Sequence, residues 1–173
     1  MKIDLFGDDI GAVEYLSHMG SDLSVVNAAR VSFGAEHARL EEKDIKLINY
    51  LMENNHTSPF EHCTISMRFT VPLFIRSQHH RHRTWSYNEI SRRYTDIDLR
   101  FYEPKEFRTQ HKVNRQASNL SELINPILGP ETAKTLVPSV LPTASLMVRS
   151  HNAAALNLYK DMMAAGVCRE QAR

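Results

Sequence analysis

The chain has 173 residues, a net charge of +1, 42% apolar residues and 24% charged residues. These values are typical of one globular domain with a core, and so small a net charge argues against a protein that binds nucleic acid polymers. No apolar run approaches the about 20 residues of a membrane span, and the N-terminus lacks the features of a signal peptide. We therefore expect a single domain over residues 1–173, in the cytoplasm, with no membrane partner.

The first third of the chain contains four periodic segments. Residues 2–6 alternate like a short first strand, and residues 10–16 predict a short helix with an aspartate cap. A further helix is predicted over residues 22–33, where Gly34 stops it. The clearest amphipathic pattern spans residues 41–54 and predicts a core helix. Its apolar face consists of four residues at helical spacing: Ile45, Ile48, Leu51 and Met52.

A capped turn, a strand and a helix are predicted next. Pro59 stands at a first helical position within residues 56–62. Residues 63–71 alternate between apolar and polar side chains and predict a strand. Pro72 ends that strand, and residues 72–83 predict a helix. Three polar residues would share one face of this helix: Gln78, Arg81 and His82.

The second half of the chain is less regular. Residues 98–102 predict a short strand, and the proline-containing segment 103–145 predicts little regular structure apart from a short helix over residues 121–127. An alanine-rich pattern predicts a long helix over residues 145–165. Another helix is predicted to begin in residues 169–173.

The two cysteines, Cys63 and Cys168, form no C-x-x-C motif and no disulfide framework. We interpret them as reduced structural thiols. Neither has an obvious activating partner in the sequence, so neither is predicted to be a nucleophile.

The stretch from Arg76 to Tyr94 is the densest in groups that bind anions and move protons. It contains five arginines, three histidines and a single acidic residue, Glu89. A metal site is disfavoured because His79, His80 and His82 do not converge from a helix, and because the arginines would repel a dication. A serine hydrolase is disfavoured because no G-x-S-x-G motif is present.

The composition of this stretch favours a pocket for a phosphorylated, planar, polar ligand. Arginine binds phosphate bidentately and stays charged when partly buried. Asn88 and Glu89 can bind sugar hydroxyls or base edges, and Trp85 and Tyr87 are either ring-stacking or core residues. We predict no metal ligands here.

Several motifs, in order along nearly the whole chain, resemble those of one family. Residues 81–91 read R-H-R-T-W-S-Y-N-E-I-S, which resembles the signature of the flavin-dependent thymidylate synthases, R-H-R followed after seven residues by serine. Four further segments resemble motifs of that family: A-A-R-V-S-F at 28–33, H-T-S-P-F-E-H at 56–62, N-R-Q-A-S at 114–118 and G-V-C-R-E-Q-A-R at 166–173.

The resemblance implies a reaction and its cofactors. dUMP would be methylated to dTMP, with methylenetetrahydrofolate as carbon donor, FAD as hydride carrier and NADPH as reductant. It also implies an α/β (α+β) fold in which helices flank a mainly antiparallel sheet, and a homotetramer whose active sites are shared between subunits. The alternative is an inactive or incomplete nucleotide-binding and FAD-binding homologue.

The resemblance also implies roles for individual residues. The positions expected to contact dUMP are Gln78, His79, His80, Arg81, Glu89, Ile90, Ser91, Arg92, Arg93 and Arg173. The positions expected to contact the flavin are Ser58, Arg81, His82, Arg83 and Glu89. The residues expected to act in catalysis are His56, Ser91 and Arg93.

The family pattern continues beyond the residue that matches Arg173. We therefore expect that the chain lacks the family's C-terminal segment and is a fragment or is completed by a separate polypeptide.

Overall fold

The computed structural model describes residues 1–129 and 142–173, which form two compact units, Met1–His79 and His80–Arg173. Each unit contains helices and an antiparallel sheet, so the predicted α/β (α+β) class with mainly antiparallel pairing is confirmed. The single domain over residues 1–173 stays a prediction. None of the helices within the described ranges has the length and apolar character needed to cross a bilayer.

The sheet of the first unit has three antiparallel strands, β1 (Lys2–Asp4), β2 (Ala12–Met19) and β3 (Thr64–Thr70), in the order β1-β2-β3. The helix predicted over residues 10–16 is therefore wrong. Val13 lies opposite a residue of β1 on one side and a residue of β3 on the other. Ladder hydrogen bonds on both edges outweigh the weak local preference for a helix.

Two helices of the first unit carry most of its buried apolar side chains. Helix α1 (Asp22–Arg30) continues into a 3-10 turn, Val31–Phe33, and helix α2 (Glu42–Glu53) follows. Gly34 ends the turn with a φ of +63°, a left-handed conformation that glycine adopts without strain. The predicted helices over residues 22–33 and 41–54 are thus confirmed, with a tighter last turn in the first.

The buried face of α2 differs from the predicted one. Asp44 and Leu51 are buried, whereas Ile45 and Met52 are 50% and 60% exposed. The helix is rotated so that a carboxylate points inward, because Asp44 has charged and polar partners there. An apolar periodicity cannot reveal such a buried polar position.

The 3-10 helix Ser58–His62 and helix α3 (Leu73–His79) lie on either side of β3 in the chain. Pro59 occupies the first turn of the 3-10 helix, as the capped-turn prediction implied. Its side chain is buried. Helix α3 begins where Pro72 predicted it but ends at His79, so the prediction that it reaches residue 83 is wrong.

The second unit contains a two-stranded antiparallel sheet of β4 (Phe107–Gln110) and β5 (Ser118–Ile124). The short helix predicted over residues 121–127 is wrong, because residues 121–124 belong to β5, where Leu123 and Ile124 pair with β4. The strand predicted over residues 98–102 is also absent from the part of the chain that the structure describes, where those residues form turns and irregular chain.

Two helices complete the second unit, α4 (Ala144–Ala164) and α5 (Arg169–Ala172). Both were predicted, and Gly166 lies between them with a φ of +90°. Residues 130–141, which belong to the segment predicted to be irregular, lie outside the described residues.

Candidate active site

The predicted site residues are divided between the two compact units. Unit 1 carries His56, Ser58, Gln78 and His79. Unit 2 carries His80, Arg81, His82, Arg83, Glu89, Ile90, Ser91, Arg92, Arg93 and Arg173.

His56 and Ser58 stand at the entrance to the 3-10 helix. The backbone N–H of His56 donates to the carbonyl of Leu51 at 2.8 Å, and its exposed ring meets Tyr50 edge to face at 6.0 Å. Ser58 is exposed, and the buried Pro59 follows it. The backbone is therefore anchored while the imidazole and the hydroxyl remain accessible to a ligand.

Gln78 and His79 occupy the last turn of α3. The ring of His79 lies 4.9 Å from that of Phe69 on β3, which packs the end of the helix on the sheet. Gln78 is exposed, so its amide can donate to and accept from a ligand.

The chain turns back on itself directly after α3. The ring of His80 stacks on Tyr87 with centroids 4.1 Å apart, and the Tyr87 hydroxyl donates to the carbonyl of His82 at 2.9 Å. The backbone N–H of Trp85 donates to the same carbonyl of His82 at 3.4 Å. Because these contacts need a reversal of the chain, the helix cannot continue to residue 83.

Arg81, His82 and Arg83 are exposed on this turn. Within residues 1–129 and 142–173, no ion pair is formed by Arg81 or Arg83. Two guanidinium groups without a carboxylate partner in this range are suited to an anionic ligand such as a phosphate. Glu89 and Ile90 are also exposed, further along the same irregular segment.

Residues 91–98 form a compact loop, which we call the serine loop. The carbonyl of Ser91 accepts hydrogen bonds from the N–H groups of Tyr94 and Thr95, at 3.1 and 3.2 Å. The Ser91 hydroxyl oxygen accepts the N–H of Arg93 at 3.4 Å. These bonds fix the backbone around the serine of the signature.

The two adjacent arginines of the serine loop point to different partners. Arg92 donates from Nη1 to the carbonyl of Ile97 at 2.7 Å and from Nη2 to the carbonyl of Asp98 at 3.3 Å. Arg93 instead directs Nη2 towards the carboxylate of Glu170 at 3.5 Å. Arg92 thus closes the loop, and Arg93 presents its charge outside it.

Arg173 follows α5 directly and is exposed. The preceding Arg169 has its Nη2 3.7 Å from the carboxylate of Asp96 in the serine loop. The structure therefore brings the start of the Arg173 segment to the loop that carries Ser91 and Arg93.

One buried polar cluster was missed by the sequence predictions. The fully buried Asp44 carboxylate accepts hydrogen bonds from Arg30 Nη2 at 2.7 Å, His37 Nδ1 at 2.9 Å and the Glu41 N–H at 3.0 Å. Burial alone would raise the pKa of Asp44, but these hydrogen bonds outweigh burial and lower the pKa to about 2. An aspartate three residues after a helix cap was the available signal.

This cluster has donor atoms that metals use, since ligand atoms of His37, Glu41 and Asp44 lie within 4.8 Å of one another. The guanidinium of Arg30 already supplies the positive charge beside Asp44. A cation would have to displace that guanidinium, so the geometry favours an ion pair.

A cleft of about 290 Å³ lies in unit 2 beside the start of α4. It is lined by Glu103, Pro104, Lys105, Asn125, Ser145, Leu146 and Arg149. None of the predicted site residues is among them.

The chain matches one known protein family and is similar to several individual proteins. The family model described as thymidylate synthase complementing protein matches residues 14–173. The flavin-dependent thymidylate synthase of Thermus thermophilus is 39% identical over 165 residues, which are 95% of this chain and 54% of that protein. The one of Thermotoga neapolitana is 39% identical over 157 residues, 83% of this chain and 71% of that protein. The chain spans about half the length of most of these curated relatives.

A solved structure with the same fold contains a bound nucleotide analogue. The UMP/dUMP methylase PolB from Streptomyces cacaoi, bound with 5-Br dUMP, is 29% identical with a TM-score of 0.66. The similarity covers 99% of this chain and 68% of that one.

Proposed function

We propose that this chain, which belongs to the family of thymidylate synthase complementing proteins, takes part in the flavin-dependent methylation of dUMP to dTMP. The observation that carries the proposal is the serine loop, where Ser91 and Arg93 lie within one hydrogen-bonded turn that follows the R-H-R motif after seven residues. The family match over residues 14–173 and the brominated dUMP held by PolB support the same substrate class.

The arginine-rich stretch fits an anionic nucleotide. Arg93 would bind dUMP through its guanidinium, and the Ser91 hydroxyl would donate to an oxygen of the uracil or phosphate. Positive charge at that point stabilises negative charge that develops on the ring during methyl transfer. The remaining residues proposed to contact dUMP are Gln78, His79, His80, Arg81, Glu89, Ile90, Arg92 and Arg173.

The exposed turn after α3 fits the diphosphate of FAD. Arg81 and Arg83 carry two positive charges on either side of His82, and neither is in an ion pair within the described ranges. With Ser58 and Glu89, these residues would hold the cofactor and orient its ring. The bound flavin supplies the hydride, which NADPH replenishes, and methylenetetrahydrofolate supplies the carbon. His56 is proposed to lie near the folate and the flavin.

Assembly into a homotetramer with shared sites is part of the proposal. Apart from Pro59, only five apolar side chains in the described residues are buried: Ala12, Val25, Val26, Leu51 and Met147. Large apolar groups such as Phe33, at 87% exposed, and Leu73, at 73%, would otherwise face water. Surfaces of this kind are usually covered by a partner, which supports the assembly. The cytoplasm remains the predicted location.

The experiment is a comparison of ligand binding and turnover. We expect the purified protein, supplied with the family's C-terminal segment, to bind FAD, to lose its flavin absorbance when NADPH is added, and to form dTMP from dUMP and methylenetetrahydrofolate. Arg83→Ala should lower bound FAD, whereas Arg68→Ala, which removes an exposed ion pair with Glu14 on the sheet, should not. Binding of dUMP without dTMP formation would indicate a nucleotide-binding homologue, and binding of neither ligand would overturn the proposal.

A further inference from the structure

Two ion pairs of opposite polarity join the serine loop to α5. Arg93 of the loop faces Glu170 of the helix at 3.5 Å, and Asp96 of the loop faces Arg169 of the helix at 3.7 Å. Each segment therefore contributes one cation and one anion. Both segments belong to the same compact unit.

The order of these charges specifies one register. The earlier loop residue, Arg93, pairs with the later helix residue, Glu170, and Asp96 pairs with Arg169. A shifted pairing would place Arg93 against Arg169 and Asp96 against Glu170. Like charges in contact repel each other, so the alternative pairing is disfavoured. The observed pairing is favoured because each contact joins opposite charges.

Both partners of this contact are locally ordered. Arg92 closes the loop through the carbonyls of Ile97 and Asp98, at 2.7 and 3.3 Å. In α5, the carbonyl of Cys168 accepts the N–H groups of Gln171 and Ala172, at 3.0 and 3.1 Å. The ion pairs therefore align two preformed segments rather than build them.

We propose that Asp96 and Glu170 are positioning residues that align the serine loop with the segment ending at Arg173. Arg173 follows Arg169 by four residues and Glu170 by three, the spacings that share one side of a helical turn. Fixing α5 on the loop would thus place Arg173 relative to Ser91 and Arg93. This inference rests on the proposed function, since it concerns residues expected to bind dUMP.

The four side chains of these ion pairs are well exposed to solvent, which limits what the pairs contribute to folding stability. Arg93 and Glu170 are 53% and 56% exposed, and Arg169 and Asp96 are 38% and 52% exposed. Exposed pairs contribute little to folding stability. The effect of breaking them should therefore appear in ligand affinity and in its dependence on salt, more than in thermal unfolding.

The cleaner test uses Asp96 and Arg169, since neither belongs to the residues expected to touch dUMP. Asp96→Lys places two cations together and should raise the Kd for dUMP about fivefold, the size of effect that an exposed ion pair supplies. Arg169→Glu should do the same. The double variant Asp96→Lys/Arg169→Glu restores the pair with reversed polarity and should return the Kd to near that of the unmodified protein.

The control is Glu14→Lys, which breaks the exposed pair between Glu14 and Arg68 on the sheet of unit 1. It should leave the Kd for dUMP unchanged. FAD content and the unfolding temperature are measured for every variant, so that a folding defect is recognised. Equal losses in the single and double variants, or no loss in any of them, would overturn the positioning role.

Glu170→Gln gives a second measurement. If Glu170 positions Arg93, the neutral amide should weaken dUMP binding, whereas tighter binding would show that Glu170 competes with the nucleotide and would overturn the inference. The proposed function fails separately, if the unmodified protein binds neither FAD nor dUMP. Normal dUMP binding with an inert Asp96–Arg169 pair would refute the positioning role alone.

Discussion

The guanidinium of Arg30 lies 2.7 Å from the carboxylate of Asp44, which is fully buried between α1 and α2. Arg30 belongs to the A-A-R-V-S-F motif, so this ion pair connects a family segment to the core of unit 1. His37 donates to the same carboxylate, and Asn27 holds the backbone of His37 through two hydrogen bonds of 3.0 and 2.9 Å.

Asp44→Asn should destabilise the protein. The substitution leaves the Arg30 charge without its partner in a partly buried place, which is one of the costly classes of mutation. We expect the unfolding temperature to fall by roughly 5 °C or more at neutral pH. Glu42→Gln is the control, because it removes an 87% exposed carboxylate from the same helix and should change little. An equal fall in both variants would contradict a special role for Asp44.

The stability that Asp44 contributes should depend on pH in a defined direction. Its pKa in the folded protein, about 2, lies below the ordinary value of 3.8. The ionised group therefore stabilises the fold above the ordinary value, and this contribution is lost as the pH falls towards 2. The difference in unfolding temperature between the unmodified protein and Asp44→Asn should shrink across that range. A difference that stays constant would show that the carboxylate charge is not the cause.

Arg93→Lys and Arg93→Ala separate charge from geometry in the serine loop. Lysine keeps the positive charge but cannot form the bidentate contact of a guanidinium. We expect a graded loss of dUMP affinity, moderate for lysine and about tenfold or more for alanine. Isothermal titration with dUMP measures both. Equal affinities for the alanine variant and the unmodified protein would exclude Arg93 from the binding site.

Arg92→Lys should loosen the serine loop, because one ammonium cannot serve both the Ile97 and the Asp98 carbonyls in the geometry that the guanidinium achieves. Limited proteolysis within residues 91–98 should become faster. Arg100→Lys is a matched control, since Arg100 pairs only with the side chain of Asp98 among the described residues and should leave the cleavage rate unchanged. Unchanged cleavage in Arg92→Lys would mean that other contacts close the loop.

Tyr87 offers a test of the turn after α3. Tyr87→Phe keeps the stack on His80 and loses the hydroxyl bond to His82, which is worth about 1 kcal/mol. Tyr87→Ala loses both, and should release the segment that carries Arg81 and Arg83. We expect FAD content to fall slightly in the first variant and strongly in the second. If FAD content fell as much in Tyr87→Phe as in Tyr87→Ala, the effect would come from the hydroxyl hydrogen bond alone.

Local patterns predicted much of this protein correctly. The alternation in residues 63–71, the helical spacing in residues 41–54 and the alanine-rich stretch before Gly166 all correspond to observed elements. The resemblance carried by residues 81–91 is confirmed by the family match. In each case a short window of sequence contains the whole signal, because periodicity and motif chemistry are local properties.

Other features depended on contacts that the pattern of a single segment does not show. Strand β2 exists because two partner strands supply its hydrogen bonds, and α3 ends at His79 because the residues that follow it form a turn of their own. The orientation of Asp44 and the pairing of Arg93 with Glu170 likewise need partners that no local window contains. The sequence alone therefore determined the types of most elements and the chemistry of the arginine-rich stretch. Only the tertiary structure decided which charges meet, since that depends on the distances between segments.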